Sequence, residues 1–323
     1  MNPVSKVLLT GATGFVGAEI LAQLLQRSDH SVVIASRTES ATLAPQCRVH
    51  TLGNFGAETA WYEALNDVDC VVHVAGRAHV LEKEVDALEL FREANTRATL
   101  NLARQSAASG VKRFVFISSI AVNGAFTTGM PFTEDSDPSP STDYAISKFE
   151  AEAGLMEIAN TTDMEVVIIR PPLVYAANAP GNFRRLLKLV STGIPLPLGR
   201  VNNRRSMIAL ENLVDLILVC INHPAAGNQV FLASDGEDVS TGQLITYLAK
   251  GMGRGGLLIP LPVALLRILA TLGGKQGIYT QLCGSLQIDS CKAVNLLGWT
   301  RPLTAEVALK SAGRKYSERV AAS

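Results

Sequence analysis

Tyr144 and Lys148 stand four residues apart in Tyr144-Ala145-Ile146-Ser147-Lys148. On a helix that spacing puts both side chains on one face. A free phenol, with a pKa of about 10, is a poor base near neutrality. An ammonium beside it favours the phenolate. Upstream, the apolar run Phe114-Val115-Phe116-Ile117 ends in Ser118-Ser119, where a hydroxyl can hold the same substrate oxygen. Ser119, Tyr144 and Lys148 thus form a proton-transfer set suited to a carbinol/carbonyl pair. A lone Y-x-x-x-K is a frequent chance pattern, so its weight comes from the elements around it.

Those elements begin with a place for a redox partner. Residues 4–10 read as a buried strand that delivers Thr10-Gly11-Ala12-Thr13-Gly14-Phe15-Val16-Gly17 into a helical pattern over 15–27. Glycines at spacing three and three allow a tight turn, close approach to a pyrophosphate and close helix–strand packing. The helix N-terminus adds free N–H donors. A dinucleotide site usually carries an acid after the second strand, to bind a ribose 2′-hydroxyl. Here Ala35-Ser36-Arg37-Thr38 has none. Ser36 and Arg37 suit a 2′-phosphate, so NADP(H) is favoured, with NAD(H) as the alternative.

Strand-like runs at 31–35, 70–75, 114–118 and 166–169, with a short strand near 48–52, alternate with helical patterns at 57–65, 85–109 and 144–159. This alternation predicts an α/β fold, a Rossmann-like doubly wound parallel sheet covered on both faces. After Arg170-Pro171-Pro172 prolines and glycines become frequent and the alternation irregular. The expected division is a dinucleotide-binding domain over 1–172 and a smaller C-terminal α/β substrate lobe over 173–323. Segments near 208–235 are free to return to the main sheet.

The chain has 323 residues with 29 basic and 29 acidic side chains; 47% are hydrophobic and 18% charged. This is the composition of a globular protein, without the basic excess of a nucleic-acid binder. The five cysteines are scattered and form no C-x-x-C pair, and the five histidines show no metal spacing, so no metal site is expected. The N-terminus lacks a basic-then-apolar leader, and the expected location is cytoplasmic. The least polar stretch, 257–272, is broken by Pro260, Pro262 and Arg267, too short a run for a membrane span. It reads as a buried or partner-facing helix starting after Pro262, in preference to a membrane-surface helix, because one face shows no Lys/Arg row.

In this setting the chain resembles the extended branch of the short-chain dehydrogenase/reductases, the NAD-dependent epimerase/dehydratase family. The glycine loop at Gly11, Gly14 and Gly17 carries the resemblance, with Asp69-Cys70-Val71-Val72-His73-Val74-Ala75-Gly76 and Asn95. So do Ser119, Tyr144 and Lys148, then Arg170-Pro171-Pro172-Leu173-Val174-Tyr175 and Arg205-Ser206-Met207-Ile208. Asp289-Ser290-Cys291-Lys292-Ala293 and Leu297-Gly298-Trp299 resemble the family's C-terminal close. The resemblance implies cofactor contacts at Gly11, Thr13, Gly14, Phe15, Val16, Gly17, Ser36, Arg37, Asn54, Ala75, Gly76, Asn95, Tyr144, Lys148 and Pro171. It implies substrate contacts at Ser118, Asn123, Asn182 and Arg205, with Arg205 on a diphosphate. It also implies a homodimer through the helices at 85–109 and 144–159.

Departures from the family pattern narrow the reaction. Sugar dehydratases carry an Asp-Glu pair after the serine, and here Ile120-Ala121 stand instead. Several stretches, Ser119 to Gly124 among them, are similar to bacterial polysaccharide enzymes that act on UDP-N-acetyl sugars. The expected activity is therefore 4-epimerisation or 4-keto reduction of a nucleotide sugar, which that similarity implies to be UDP-linked. A non-sugar carbonyl reductase and an inactive dinucleotide-sensing scaffold are the alternatives.

Overall fold

The computed structural model describes residues 5–27, 30–39, 47–78, 86–255 and 258–322. The first half contains β1 (Ser5–Thr10), α1 (Phe15–Gln26), β2 (His30–Ser36), β3 (Arg48–Thr51) and β4 (Cys70–His73). It continues with α2 (Ala87–Phe91), α3 (Ala98–Ala108), β5 (Arg113–Ile117), α4 (Asp143–Thr161) and β6 (Glu165–Arg170). The second half contains β7 (Leu173–Tyr175), α5 (Gly181–Ser191), β8 (Met207–Ala209), α6 (Leu210–Asn222) and β9 (Gln229–Leu232). Helices α7 (Thr241–Gly251), α8 (Val263–Leu272), α9 (Gln276–Cys283), α10 (Cys291–Leu297) and α11 (Ala305–Ala321) follow.

Seven strands form one parallel sheet in the order β3-β2-β1-β4-β5-β6-β9. Side chains alternate across it. Val7, Leu9, Ile34, Val72, Val115 and Ile169 face α1, α6 and α10, while Leu8, Val33, Val71, Phe114 and Ile168 face α3 and α4. Because both faces are covered, the strands need no polar side, which explains their unbroken apolar runs. The chain winds outward in both directions from β1 and β4. Their carboxyl ends therefore border a crevice, the place where ligands bind in open sheets of this kind.

A third core joins Tyr175, Phe183, Leu187, Leu244, Leu248, Leu309 and neighbours from α5, α7 and α11 beside the two-stranded β7-β8 pair. The second half also feeds the first: α6 packs on α1, and β9 pairs with β6 in the main sheet.

Two expectations need correction. Residues 57–65 form turns rather than a helix. Side chains of α3 take the backbone groups there: Gln105 Oε1 accepts from Trp61 N (2.7 Å), and Asn101 Nδ2 and Gln105 Nε2 donate to Thr59 O (2.8 Å each). Buried Trp61 packs against Phe55 and pins the segment. The helix expected over 85–109 is interrupted by a π-helical turn, Arg92–Arg97, and Val85 itself lies outside the described residues.

Helix α4 is held to the sheet by a buried ion pair. Arg170, at the end of β6, donates from Nε to Glu152 Oε1 (3.0 Å) and from Nη1 to Asn123 Oδ1 (2.9 Å). Both charged side chains are almost wholly buried. Removing one partner strands the other charge. Glu152→Ala is expected to cost about 3–5 kcal/mol in denaturant unfolding, and a loss below about 1 kcal/mol would remove the pair from this role.

Candidate active site

Gly11 has φ +75°, and a Cβ there would sit 2.8 Å from Ala75 N. A Cβ on Gly17 would strike the Gly11 carbonyl. The loop thus lies flat against the segment after β4, and Gly14 N closes the turn on Gly11 O (2.9 Å). Bare backbone and the N-terminus of α1 are left facing the crevice, a cradle that fits a pyrophosphate.

A chain of hydrogen bonds couples that loop to the segment after β4. The Thr99 hydroxyl donates to Asn95 O (2.7 Å), so its oxygen accepts from His73 Nε2 (3.0 Å). His73 Nδ1 is then the acceptor for the Thr10 hydroxyl (2.8 Å), whose oxygen takes Ala75 N–H (3.2 Å). Burial, with the Lys148 charge nearby, holds His73 neutral, its pKa pushed down to about 3. One tautomer satisfies every partner.

Lys148 lies across the end of β5. Its Nζ donates to Ile117 O (2.9 Å) and sits 4.4 Å from the centre of the Phe116 ring. Burial lowers its pKa to about 8, with Glu152 opposing. A Cβ on Gly76 would come within 3.4 Å of this Nζ, so the amine also borders the segment after β4. Tyr144 packs edge-on to Phe91, ring centroids 6.0 Å apart. Burial raises the phenol to about 12, and its hydrogen bond with Ser119 works the other way. Ser119 is thus the side chain that opposes burial at the phenol.

Thr13, Ser36, Arg37, Thr38, Gly53 and Asn54 line a cavity of about 400 Å³ at the ends of β1 and β2. Among the described residues no carboxylate lines it. Ser118 Oγ is buried without a hydrogen-bond partner among the described residues. An orphaned buried hydroxyl at the end of a central strand is the arrangement expected where a polar ligand completes the site.

Residues 7–234 match the NAD dependent epimerase/dehydratase family. The chain belongs to this family. It is 43% identical to a UDP-glucose 4-epimerase of Vibrio cholerae over 96% of this chain and 95% of the relative. It is 28% identical to an N-acetyl-α-D-glucosaminyl-diphospho-ditrans,octacis-undecaprenol 4-epimerase of Escherichia coli O157:H7, over 92% and 91%. Its fold is similar to the crystal structure of a UDP-glucuronic acid 4-epimerase from Bacillus cereus in complex with NAD, with a TM-score of 0.76 at 20% identity over 98% of this chain and 99% of that one.

In this epimerase/dehydratase-family protein the structure gathers Gly11, Gly14, Gly17, Ala75, Gly76, Ser119, Tyr144 and Lys148 around one crevice. The side chains of Phe15 and Val16 pack against the core, while their backbone forms the N-terminus of α1. Pro171 is buried, its carbonyl accepting from Ile120 N (3.0 Å). Asn95 is fully buried in the π-helical turn, its amide bonded to Arg77 N (2.7 Å), Arg77 O (3.0 Å) and Ser147 Oγ (3.1 Å). It shapes the segment after β4, with no polar atom left for the cofactor contact expected of it.

Asn123, expected to meet substrate, is corrected likewise: it is 1% exposed and engaged by Arg170 and Thr133 O. Arg205 Nη1 donates to Gln281 O (3.0 Å) and Gly284 O (3.2 Å), and burial lowers its pKa. Asn182 reaches Gln281 from the other side (3.1 Å). Phe91, Phe116, Glu152 and Thr99 were not singled out from the sequence. Only Glu152 carried a signal, one helical turn beyond Lys148. Among the described residues, no group of three or more His, Cys, Asp or Glu could hold a metal.

The lowered Lys148 pKa has a measurable sign. The unfolded lysine keeps its ordinary value of 10.5 while the folded one titrates near 8. Between these values the folded protein binds fewer protons, so stability rises with pH and is lost again as pH falls through about 8. From pH 8 to about 10 the wild type should gain roughly 2 kcal/mol relative to Lys148→Met in denaturant unfolding. A pH-independent difference would contradict this burial.

Proposed function

We propose that this protein interconverts the C4 epimers of a sugar carried on a diphosphate, with NAD(H) held between the glycine loop and α4. The observation that carries the reading is the meeting of Ser119, Tyr144 and Lys148 at the end of β5, against the segment that the glycine loop also touches. Bound NAD supplies the acceptor and donor for the hydrogen at C4. Gly11, Gly14 and Gly17 cradle its pyrophosphate, and the unpartnered Ser118 Oγ offers a hydrogen bond to the substrate.

The protein's own residues manage the proton. Ser119 holds the C4 oxygen, and Tyr144 takes the hydroxyl proton and later returns it. A phenol pushed up to about 12 does not act as a base at neutral pH without added positive charge. Lys148, and the cationic ring that oxidised cofactor brings, supply that charge when the site is full. Arg205 and Asn182 stand where α9 approaches the lobe and hold the diphosphate end. Relatives carry their sugars on uridine or on a polyprenol, and a UDP-N-acetylhexosamine is the soluble substrate to test first.

The cofactor's adenosine end meets Ser36, Arg37 and Asn54. The missing carboxylate supports acceptance of a 2′-phosphate, and hence NADP(H) as well as NAD(H). The half-exposed apolar side chains Leu90 and Phe149, on α2 and α4, support pairing of two copies along these helices. The 173–323 half is read as the substrate lobe.

Tyr144→Phe is expected to lower kcat by about 10²–10⁴ while leaving NAD binding intact. Epimer formation should proceed with no net use of reduced cofactor. One reduced cofactor oxidised per product would replace epimerisation by 4-keto reduction. Arg37→Ala should weaken NADPH binding about ten-fold and NADH binding little, as measured by fluorescence titration. Equal effects would remove the 2′-phosphate assignment.

A further inference from the structure

The expected buried or partner-facing helix near 257–272 is not buried. Helix α8 starts after Pro262 as expected, yet no residue of it is buried; Leu257 lies outside the described residues. Val263 and Leu266 lean on the third core, while Leu265, Ile268, Leu269 and Leu272 point to solvent, Leu272 with 81% of its surface free. Ile259 and Ile194 extend the same ridge. Ile259 N bonds Leu196 O (2.8 Å), which brings the two loops side by side, and both isoleucines are exposed. Ile278 on α9 is exposed too. A helix sharing its apolar side chains with water is costly unless something covers them.

The segment that carries the ridge is basic. Residues 241–288 contain four Lys or Arg and no Asp or Glu, in a chain whose net charge is zero. Arg267 is on α8 itself, and Lys275 joins α8 to α9. Arg254 lies against Gly193, next to Ile194, and Arg200 follows Gly199, whose N–H bonds Ile259 O (3.0 Å). An exposed apolar ridge with Arg200, Arg254, Arg267 and Lys275 beside it is complementary to an anionic bilayer, where leucines enter the acyl boundary and cations meet lipid phosphates.

We propose that the α8 ridge docks this protein onto an anionic phospholipid surface. Helix α9 packs on α8 and carries Gln281, the residue that Arg205 and Asn182 both reach. Docking would therefore bring the diphosphate end of the crevice close to the bilayer. This last consequence rests on the reading of that crevice given above; the docking itself does not.

Co-sedimentation of the full-length protein with vesicles tests the proposal without any turnover. Vesicles of phosphatidylcholine with phosphatidylglycerol should bind roughly ten-fold more protein than phosphatidylcholine alone, and added salt should weaken the binding. The double variant Ile268→Glu/Leu272→Glu should fall to the phosphatidylcholine level while its Tm stays within about 2 °C. Arg267→Gln/Lys275→Gln should lose most of the salt-sensitive part and keep its Tm. Equal binding to both vesicle types, or unchanged binding by the Glu variant, overturns the proposal. So does a Glu variant whose mass in solution falls while vesicle binding persists, which would give the ridge to a second copy of the chain.

Discussion

Taking the Lys148 ammonium out of water is the constraint around which the crevice is built. A buried amine needs acceptors and a nearby negative charge. The Ile117 carbonyl and the Phe116 ring face supply the first, at the point where β5 ends. Glu152, one turn further along α4, supplies the second, and Arg170 at the end of β6 balances Glu152 in turn. These contacts tie α4 to two adjacent strands. They also aim Tyr144, one turn before Lys148, toward Ser119. The proton-transfer set is thus a by-product of solving an electrostatic problem in the layer between helix and sheet.

The cofactor side is organised by close approach rather than charge. Gly11 and Gly17 allow loop, helix and the segment after β4 to touch through bare backbone. The Thr10–His73–Thr99 chain then fixes that contact with a neutral imidazole. Every member has one donor and one acceptor role, so the array has a single proton arrangement and little freedom to shift. A rigid floor beneath the crevice lets both reacting partners be placed to within a fraction of an ångström, which proton and hydride transfer require.

The second half is knit together by a polar node. Asp235 accepts from Tyr175 Oη (2.7 Å), Ala209 N (2.9 Å) and Asn212 Nδ2 (2.7 Å). Asn212 in turn brackets Leu303 through its backbone N and O. Burial raises the Asp235 carboxyl, and three donors pull it back. β7, β8, α6 and the approach to α11 therefore meet at one residue.

Much of this was readable in the residues alone. Unbroken apolar runs mark strands buried on both faces, so the parallel sheet followed from β1, β2, β4, β5 and β6. Glycine spacing after β1 and the Tyr144–Lys148 interval encode local geometry, because a turn or one helical repeat joins residues near in sequence. Other features depend on partners far along the chain. Residues 57–65 have helical periodicity, but Asn101 and Gln105 take their backbone groups. Asn123 and Asn95 look like ligand-binding amides, yet Arg170 and Arg77 occupy them. Helix α8 has an interior composition and an exterior position. Propensity and spacing act within a few residues, whereas burial and hydrogen-bond partnership are settled only when distant segments compete for the same space.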